Sequence, residues 1–404
     1  MTDQPFILGV NYWPQRTAMF MWREFDRATI DEDMAIINGL GLSCIRIPLL
    51  WEDFQPTPKN VPAAMLDRLV QLLEVADAKN LKVVVTLFAG HICGLTWLPP
   101  WMLLASVDRN QSPVFSSGKI RFNKIRNFYA ETEIMERQIY FLGELGSAVS
   151  GHPALFSWDL GNEPSMWSNS PDNFAAELWL KAMTETLKEQ DDRLPLTLSF
   201  HVSDLGRREG LAPRMASKYL DYLSINGMPQ RVPWAEDPFS PVFPSFLGSV
   251  TGWLGKGPVM IQEFGLATET TLSVPRGYES VSKGEQLLVS EEDAALFAED
   301  ALLHLRRSHV MGAFWKSYGD YHPSIWEWPP LDKRTIERFS GLVRHDGTPK
   351  VAASVFKSMP ISLESDGISS EWLDLTHEEY YQYPDQHLKR LYGRFREYCS
   401  LHRA

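Results

Sequence analysis

Short apolar runs alternate with amphipathic stretches along most of the chain. The first run, residues 7–11, leads into Asn11, Tyr12 and Trp13. Between 28 and 40, Ile30, Met34, Ile37 and Leu40 then recur at helical spacing, with Gly41 as the stop. Residues 44–50 read as a second strand, and 63–79 as a second helix with Leu66, Leu69, Val70 and Leu73 on one face. Leu81-Lys-Val-Val-Val-Thr-Leu-Phe88 has the near-continuous apolar character of a parallel strand buried on both faces. The alternation continues with strands at 155–160, 196–200, 222–226, 259–262 and 313–316. Helices are predicted at 128–149, 174–189 and 294–308, with a shorter one before the sixth strand. Eight such units over about 350 residues predict an α/β fold, a (β/α)8 TIM barrel, rather than an open sheet. The expected division is a barrel over 1–360 and a short C-terminal helical extension over 361–404. Within the extension, residues 385–400 follow the breaker Pro384 and place Leu388, Leu391, Tyr392 and Phe395 on one face. That face reads as packing on the barrel's outside or at a subunit contact, which leaves a homo-oligomer open.

In such a barrel, chemistry gathers at the C-terminal ends of the strands. Those ends carry Asn11, Arg46, His91, Asn162-Glu163, His201, Asn226, Glu263 and Trp315. The connections after strands three (89–127), six (227–257), seven (266–287) and eight (317–340) are far longer than the usual two to six residues. All four leave from one face, so they are expected to wall a deep site.

Two carboxylates stand out there. Glu163 follows strand four in Trp158-Asp-Leu-Gly-Asn-Glu-Pro164, and Glu263 ends strand seven in Val259-Met-Ile-Gln-Glu-Phe-Gly265. A carboxylate directly after a buried strand is costly unless it has a partner or a task. Strands four and seven face each other across a barrel, so the pair can flank one bond. Carboxyl groups about 5–5.5 Å apart suit a retaining glycosidase, one as nucleophile and the other as acid, then base. Their proximity would keep one protonated near neutral pH. Spacing alone leaves two ordinary salt-bridged glutamates equally open.

Composition narrows the field. The chain has 404 residues, 44% hydrophobic and 22% charged, which excludes wholesale disorder. Its 39 Lys and Arg against 51 Asp and Glu give a net charge of −12, which disfavours nucleic-acid or anionic-membrane partners. No apolar stretch reaches membrane-spanning length, and the start lacks the layout of a secretion signal, so a cytoplasmic location is expected. Three scattered cysteines (Cys44, Cys93, Cys399) without a C-x-x-C pair suggest a reduced protein with no structural zinc. Neither a metal-ligand spacing such as H-E-x-x-H nor a Gly-rich phosphate loop is found, so no metal or cofactor is expected. The 14 Trp residues are more than a core of this size needs and suggest stacking on flat apolar faces. Trp97, Trp101, Trp167, Trp234, Trp326 and Trp328 fall in the loops of the same face, each open to packing or stacking.

Asn162-Glu163-Pro164 after strand four, together with Glu263-Phe-Gly265 after strand seven, resembles clan A of the glycoside hydrolases, most closely family 5. The resemblance covers residues 6–357. It takes in Arg46 in Ile45-Arg-Ile-Pro48, His91, Trp315 and the closing Gly341-Leu-Val-Arg-His-Asp-Gly-Thr-Pro-Lys350. It implies that Glu163 is the acid/base and Glu263 the nucleophile. By the same resemblance Asn162 bonds the sugar 2-hydroxyl, Arg46 steadies the nucleophile, His91 lines the −1 subsite and Trp315 forms its stacking floor. Read on their own, Arg46 also fits a salt bridge, His91 a loop histidine and Trp315 a core aromatic.

One departure matters. Where the family shows His-x-Tyr at the end of strand six, this chain has Asn226-Gly-Met228. Asn226 can replace the histidine as a sugar contact, but Met228 cannot supply the tyrosine's hydrogen bond to the nucleophile. Tyr318 is a candidate for that donor. The change sets the chain apart from the common cellulase subgroups. The expected substrate is a short β-linked oligosaccharide, cleaved from one end in a walled pocket. The resemblance extends to cytoplasmic β-mannosidases, some acting on the Man-β-1,4-GlcNAc unit of N-glycans. The alternatives are an endo-β-1,4-mannanase or cellulase, and a non-catalytic sugar-binding barrel.

Overall fold

Eight parallel strands close on themselves in the computed structural model, which describes residues 6–109, 113–268, 288–308, 310–359 and 367–402. They are β1 (Ile7–Asn11), β2 (Cys44–Pro48), β3 (Lys82–Thr86), β4 (Leu155–Asn162), β5 (Leu196–Phe200), β6 (Leu223–Asn226), β7 (Val259–Phe264) and β8 (Gly312–Trp315). Each pairs with its sequence neighbours, and β1 closes the ring on β8 through Ile7↔Gly312 and Val10↔Trp315. The predicted barrel is observed. Strands β4 and β7 each run two residues further than the apolar pattern suggested, so Asn162 and Glu263 lie within them.

Helices α1 (Arg27–Gly39), α2 (Ala63–Ala78), α3 (Thr132–Val149), α4 (Asn173–Gln190), α5 (Phe243–Gly255), α6 (Glu291–Arg307) and α7 (Val351–Ser358) pack outside the barrel. Local chemistry sets their limits. The side chain of Asp26 caps α1 at Ala28 N, and that of Ser290 caps α6 at Asp293 N. Three acidic residues open α6, and His304, Arg306 and Arg307 close it, matching the helix dipole at both ends.

Helix α5 corrects the expectation of a loop over 227–257. Its sequence is apolar on nearly every side and carries three glycines, so it shows neither an amphipathic stripe nor good helix formers. Burial accounts for both features. A Cβ on Gly248 would lie 2.6 Å from Val310, and one on Gly255 would lie 2.2 Å from Leu223, so glycine allows the helix to press on β6 and β7.

The apolar runs conceal an alternation. Ile45, Ile47, Val83, Val85, Leu198, Ile225 and Ile261 face the helices in the main core. The inward positions form a small layer of Cys44, Val84, Tyr222, Met260 and Phe314. Polar layers lie beside it in the barrel. Ser157 and Tyr222 share a hydrogen bond of 2.6 Å, and Thr197 and Ser224 one of 2.7 Å. This polar interior is where the site is built.

The C-terminal segment packs on the barrel's outside. Helix α8 (Pro384–Leu401) sets Tyr392 and Phe395 against Phe246 of α5, and the Tyr380 hydroxyl donates to Leu205 O at 3.1 Å. Residues 269–287 of the predicted loop after β7, and 361–366 and 403–404 of the predicted extension, lie outside the described residues. Among the described residues, no helix is long and apolar enough to cross a membrane.

Candidate active site

The strands deliver the key side chains through irregularities at their C-terminal ends. Pairing shifts register between Asp159 and Asn162 on β4, between Ile225 and Asn226 on β6, and between Ile261 and Phe264 on β7. Such bulges bend a strand and re-aim its next side chain. Glu163 goes further, with φ 49° and ψ 52°. Pro164 bars it from the ordinary helical region, and a left-handed non-glycine costs about 1–3 kcal/mol, a strain typical of functional positions. The bond from Glu163 N to Ser199 O, at 2.9 Å, helps hold the turn.

Glu163 and Glu263 line one cavity of about 560 Å³, with His91, His201, Asn226 and Met228. Their strands are not diametrically opposed: only β5 and β6 separate them on the shorter side. Asn226 of β6 spans that gap. It is the register partner of Glu263, and its amide Nδ2 donates to Glu163 Oε1 at 2.8 Å. Ser199 Oγ donates to Asn226 Oδ1 at 3.2 Å, which fixes the amide's orientation.

Behind the carboxylates lies Arg46, 1% exposed. Its Nε and Nη2 donate to Asp159 Oδ2 at 3.1 and 2.8 Å, Nη1 to Asn11 Oδ1 at 3.0 Å, and Nη2 to Asn162 Oδ1 at 2.9 Å. Asn162 Nδ2 in turn donates to His91 O at 2.7 Å. The guanidinium fork thus ties β1, β2 and β4 together inside the barrel, with Nη1 3.9 Å from Glu263 Oε1.

Lys316, directly after β8, is a residue that sequence reasoning missed, as are Arg231 and Glu337 in the cavity lining. Its Nζ donates to Glu263 Oε2 at 2.8 Å. It occupies the role left open by Met228, and Tyr318 does not: the Tyr318 hydroxyl donates to Asp33 Oδ1 at 2.8 Å instead. Asp33 also accepts from Tyr12 at 2.9 Å, so both tyrosines are drawn away from the carboxylates. Burial alone would raise the Glu263 pKa, but Lys316, Arg231 and Arg46 outweigh it and hold the carboxyl below its usual range. Glu163 makes no ion pair among the described residues. The two glutamates therefore sit in different settings: Glu263 is ion-paired with Lys316, and Glu163 bonds a neutral amide, while the charge of Arg231 acts on both.

No family model and no curated protein matches the sequence. Solved structures do match the fold. A GH5_18 protein from Streptomyces cattleya in complex with GlcNAc superposes with a TM-score of 0.70 at 19% identity, over 88% of this chain and 80% of that one. A variant of the GH5_18 protein from Streptomyces cattleya, in complex with Manβ1-4GlcNAc, gives 0.69 at 20% identity, covering 87% and 79%. An exo-β-1,4-mannosidase from Opitutaceae bacterium strain TAV5 gives 0.67 at 22% identity, covering 87% of this chain and 58% of that one. The fold is that of the GH5_18 barrels.

Within this barrel the expected residues separate into two groups. Glu163, Glu263, His91 and Asn226 line the cavity, and Arg46 and Asn162 brace it from behind. Trp315 departs from the stacking role. It is 1% exposed, its Nε1 donates to Ser340 O at 3.1 Å, and its ring meets Phe264 and Phe356 edge-on, so it packs in the wall. The six loop tryptophans also pack rather than line the cavity: Trp97 on Phe115, Trp101 on Trp51, Trp167 on Phe128, Trp234 on Phe243, Trp326 on Phe339 and Trp328 on Phe20. The cavity wall instead mixes polar groups with aliphatic ones such as Met228, Val232 and Ile336. His91 Nδ1 and Gln230 Oε1 are buried there without a hydrogen-bond partner, the state of groups that a hydroxylated ligand would satisfy. Burial lowers the His91 pKa, so the ring is neutral and can donate or accept. Among the described residues no cluster of three or more His, Cys, Asp or Glu could hold a metal ion.

Proposed function

We propose that the protein is a retaining exo-β-glycosidase of glycoside hydrolase family 5 that removes mannose from short β-linked oligosaccharides such as Man-β-1,4-GlcNAc. The observation that carries this reading is the pair of buried glutamates at the ends of β4 and β7. They share one cavity, where Glu263 is ion-paired with Lys316 and Glu163 bonds the neutral Asn226 amide. Glu263, ionised among Lys316, Arg231 and Arg46, is the nucleophile; Glu163, which makes no ion pair among the described residues, is the acid/base. Lys316 engages Oε2, so Oε1 is the oxygen left to attack the anomeric carbon. As the glycosidic bond breaks, its electron pair goes to the leaving oxygen, which takes the Glu163 proton. Water then attacks the glycosyl-enzyme, Glu163 accepts the water's proton, and the bond to Glu263 breaks with its electron pair returning to the carboxylate. Asn162 Oδ1 has a lone pair left beside its Arg46 bond with which to meet the 2-hydroxyl. Support for mannose comes from the Manβ1-4GlcNAc bound in a GH5_18 barrel and from the exo-β-1,4-mannosidase of the same fold. Long connections above the cavity favour attack at a chain end.

A panel of p-nitrophenyl β-glycosides tests the sugar, with the mannoside expected to turn over fastest. Glu163→Ala and Glu263→Ala are each expected to lower hydrolysis by orders of magnitude. A mannohexaose digest should release single sugars from one end, whereas internal fragments would support an endo-acting enzyme. Near-wild-type hydrolysis by Glu263→Ala would end the reading.

A further inference from the structure

The nucleophile is one end of a buried chain of alternating charges. Lys316 Nζ lies 2.8 Å from Glu263 Oε2 and 3.7 Å from Glu337 Oε2. Glu337 also accepts from the Arg231 guanidinium and from the Cys93 thiol. Exposure is 6% for Glu263 and Lys316 and 3% for Glu337, so water screens the Lys316 contacts little, whereas the Arg231 side chain at the outer end is 35% exposed. An ammonium that served only to fix a carboxylate would need one partner. A second, fully buried carboxylate on its other side calls for a reason, because burying a charge is expensive.

Covalent chemistry supplies that reason. When Glu263 Oε1 bonds to the anomeric carbon, the carboxylate becomes a neutral ester and Lys316 loses its nearest counter-charge. Without another anion, a buried ammonium in this state would tend to shed its proton. We propose that Glu337 keeps Lys316 protonated while Glu263 is esterified, so that the ammonium stabilises the carboxylate that departs in the second displacement. Lys316 and Glu337 are positioning residues for the deglycosylation half of the reaction. No proton or electron is consumed: the C–O pair returns to Glu263, and its new charge is met by the cation already in place. Arg231 fits the same scheme. With Lys316 it outweighs burial and holds the Glu337 carboxyl at about 2, ionised throughout the working range of such an enzyme. The inference rests on Glu263 being the nucleophile.

Steady-state and burst kinetics on 2,4-dinitrophenyl β-mannoside test it, since this leaving group makes deglycosylation limiting. For Glu337→Gln, kcat is expected to fall at least about tenfold, while kcat/KM, which reports the first displacement, stays within about twofold. A burst of one dinitrophenol per site should appear, and enzyme trapped with a 2-deoxy-2-fluoromannosyl group should reactivate more slowly by a similar factor. Lys316→Met, which also removes the donor to Glu263 Oε2, should lower kcat/KM as well and slow reactivation at least as much, and Glu337→Asp should restore most of the turnover. A parallel fall of kcat and kcat/KM without a burst in Glu337→Gln would overturn the proposal, as would unchanged reactivation. The site of fluorosugar labelling separates the two levels. A label away from Glu263 removes the functional reading and this inference with it. A label on Glu263 with normal deglycosylation in both variants removes the inference alone.

Discussion

Replacing Arg46 with lysine keeps the charge and removes the fork. The guanidinium makes four hydrogen bonds inside the barrel, two to Asp159 and one each to Asn11 and Asn162. A lysine ammonium that follows the charge to Asp159 leaves the Asn11 and Asn162 oxygens without their donor. Two buried acceptors left unpaired cost about 1–3 kcal/mol each, or about 4 kcal/mol together. A chain of 404 residues unfolds with an entropy of about 0.8 kcal/mol per kelvin, so the melting temperature should drop by about 5 °C. Activity should suffer as well. Asn162 loses its anchor, and the cation 3.9 Å from Glu263 Oε1 moves away. A loss of about 1.4 kcal/mol in transition-state binding lowers kcat/KM about tenfold. Differential scanning calorimetry of Arg46→Lys, paired with kcat/KM on an aryl β-mannoside, measures both. A melting temperature within 1 °C of wild type and kcat/KM within about twofold would refute the idea that this fork orders the site.

Two further perturbations follow from the charges. Lys316 is the strongest of the attractions that hold the Glu263 pKa down against burial. In Lys316→Met that pKa should rise, and the acid limb of kcat/KM should move to higher pH; an unmoved limb would separate Lys316 from the ionisation that matters. Burial raises Asp33 from its ordinary 3.8 to about 6, against the bonds from Tyr318 and Tyr12. Its folded form therefore keeps a proton that the unfolded chain has already lost between those values. The resulting stability is fully present below pH 3.8 and disappears as the pH rises through about 6, by about 3 kcal/mol. Asp33→Asn abolishes that titration, so the stability difference between wild type and variant should decline from pH 4 to pH 7; a flat difference would contradict the assignment.

Much of this site was legible because barrels place chemistry at strand ends. The pattern located all eight strands, and the polar residues closing them included both glutamates, Arg46 and Asn226. The omissions have physical causes. Lys316 ends a strand in the same sense, but it directly follows the apolar residues 313–315 and reads as an ordinary surface lysine until its burial is known. Glu337 and Arg231 sit on short helical turns within long connections whose paths depend on tertiary packing, so their meeting has no local signature. Trp315 and the loop tryptophans misled for the opposite reason. Aromatic residues above a barrel suggest sugar stacking, yet here they pack on neighbouring rings and are not among the residues that line the cavity. Helix α5 escaped because its glycines, read locally as breakers, serve close packing against β7 and Leu223.

The division of labour between the two glutamates is tested most directly by the anomeric configuration of azide adducts. Azide entering in place of Glu263, in Glu263→Ala, attacks the intact substrate from the nucleophile's face and should yield the α-mannosyl azide. In Glu163→Ala, azide instead intercepts the glycosyl-enzyme in place of base-activated water and should yield the β-mannosyl azide. Opposite anomers from the two variants, read by proton NMR, are the predicted result. The same anomer from both, or the reverse assignment, would contradict it.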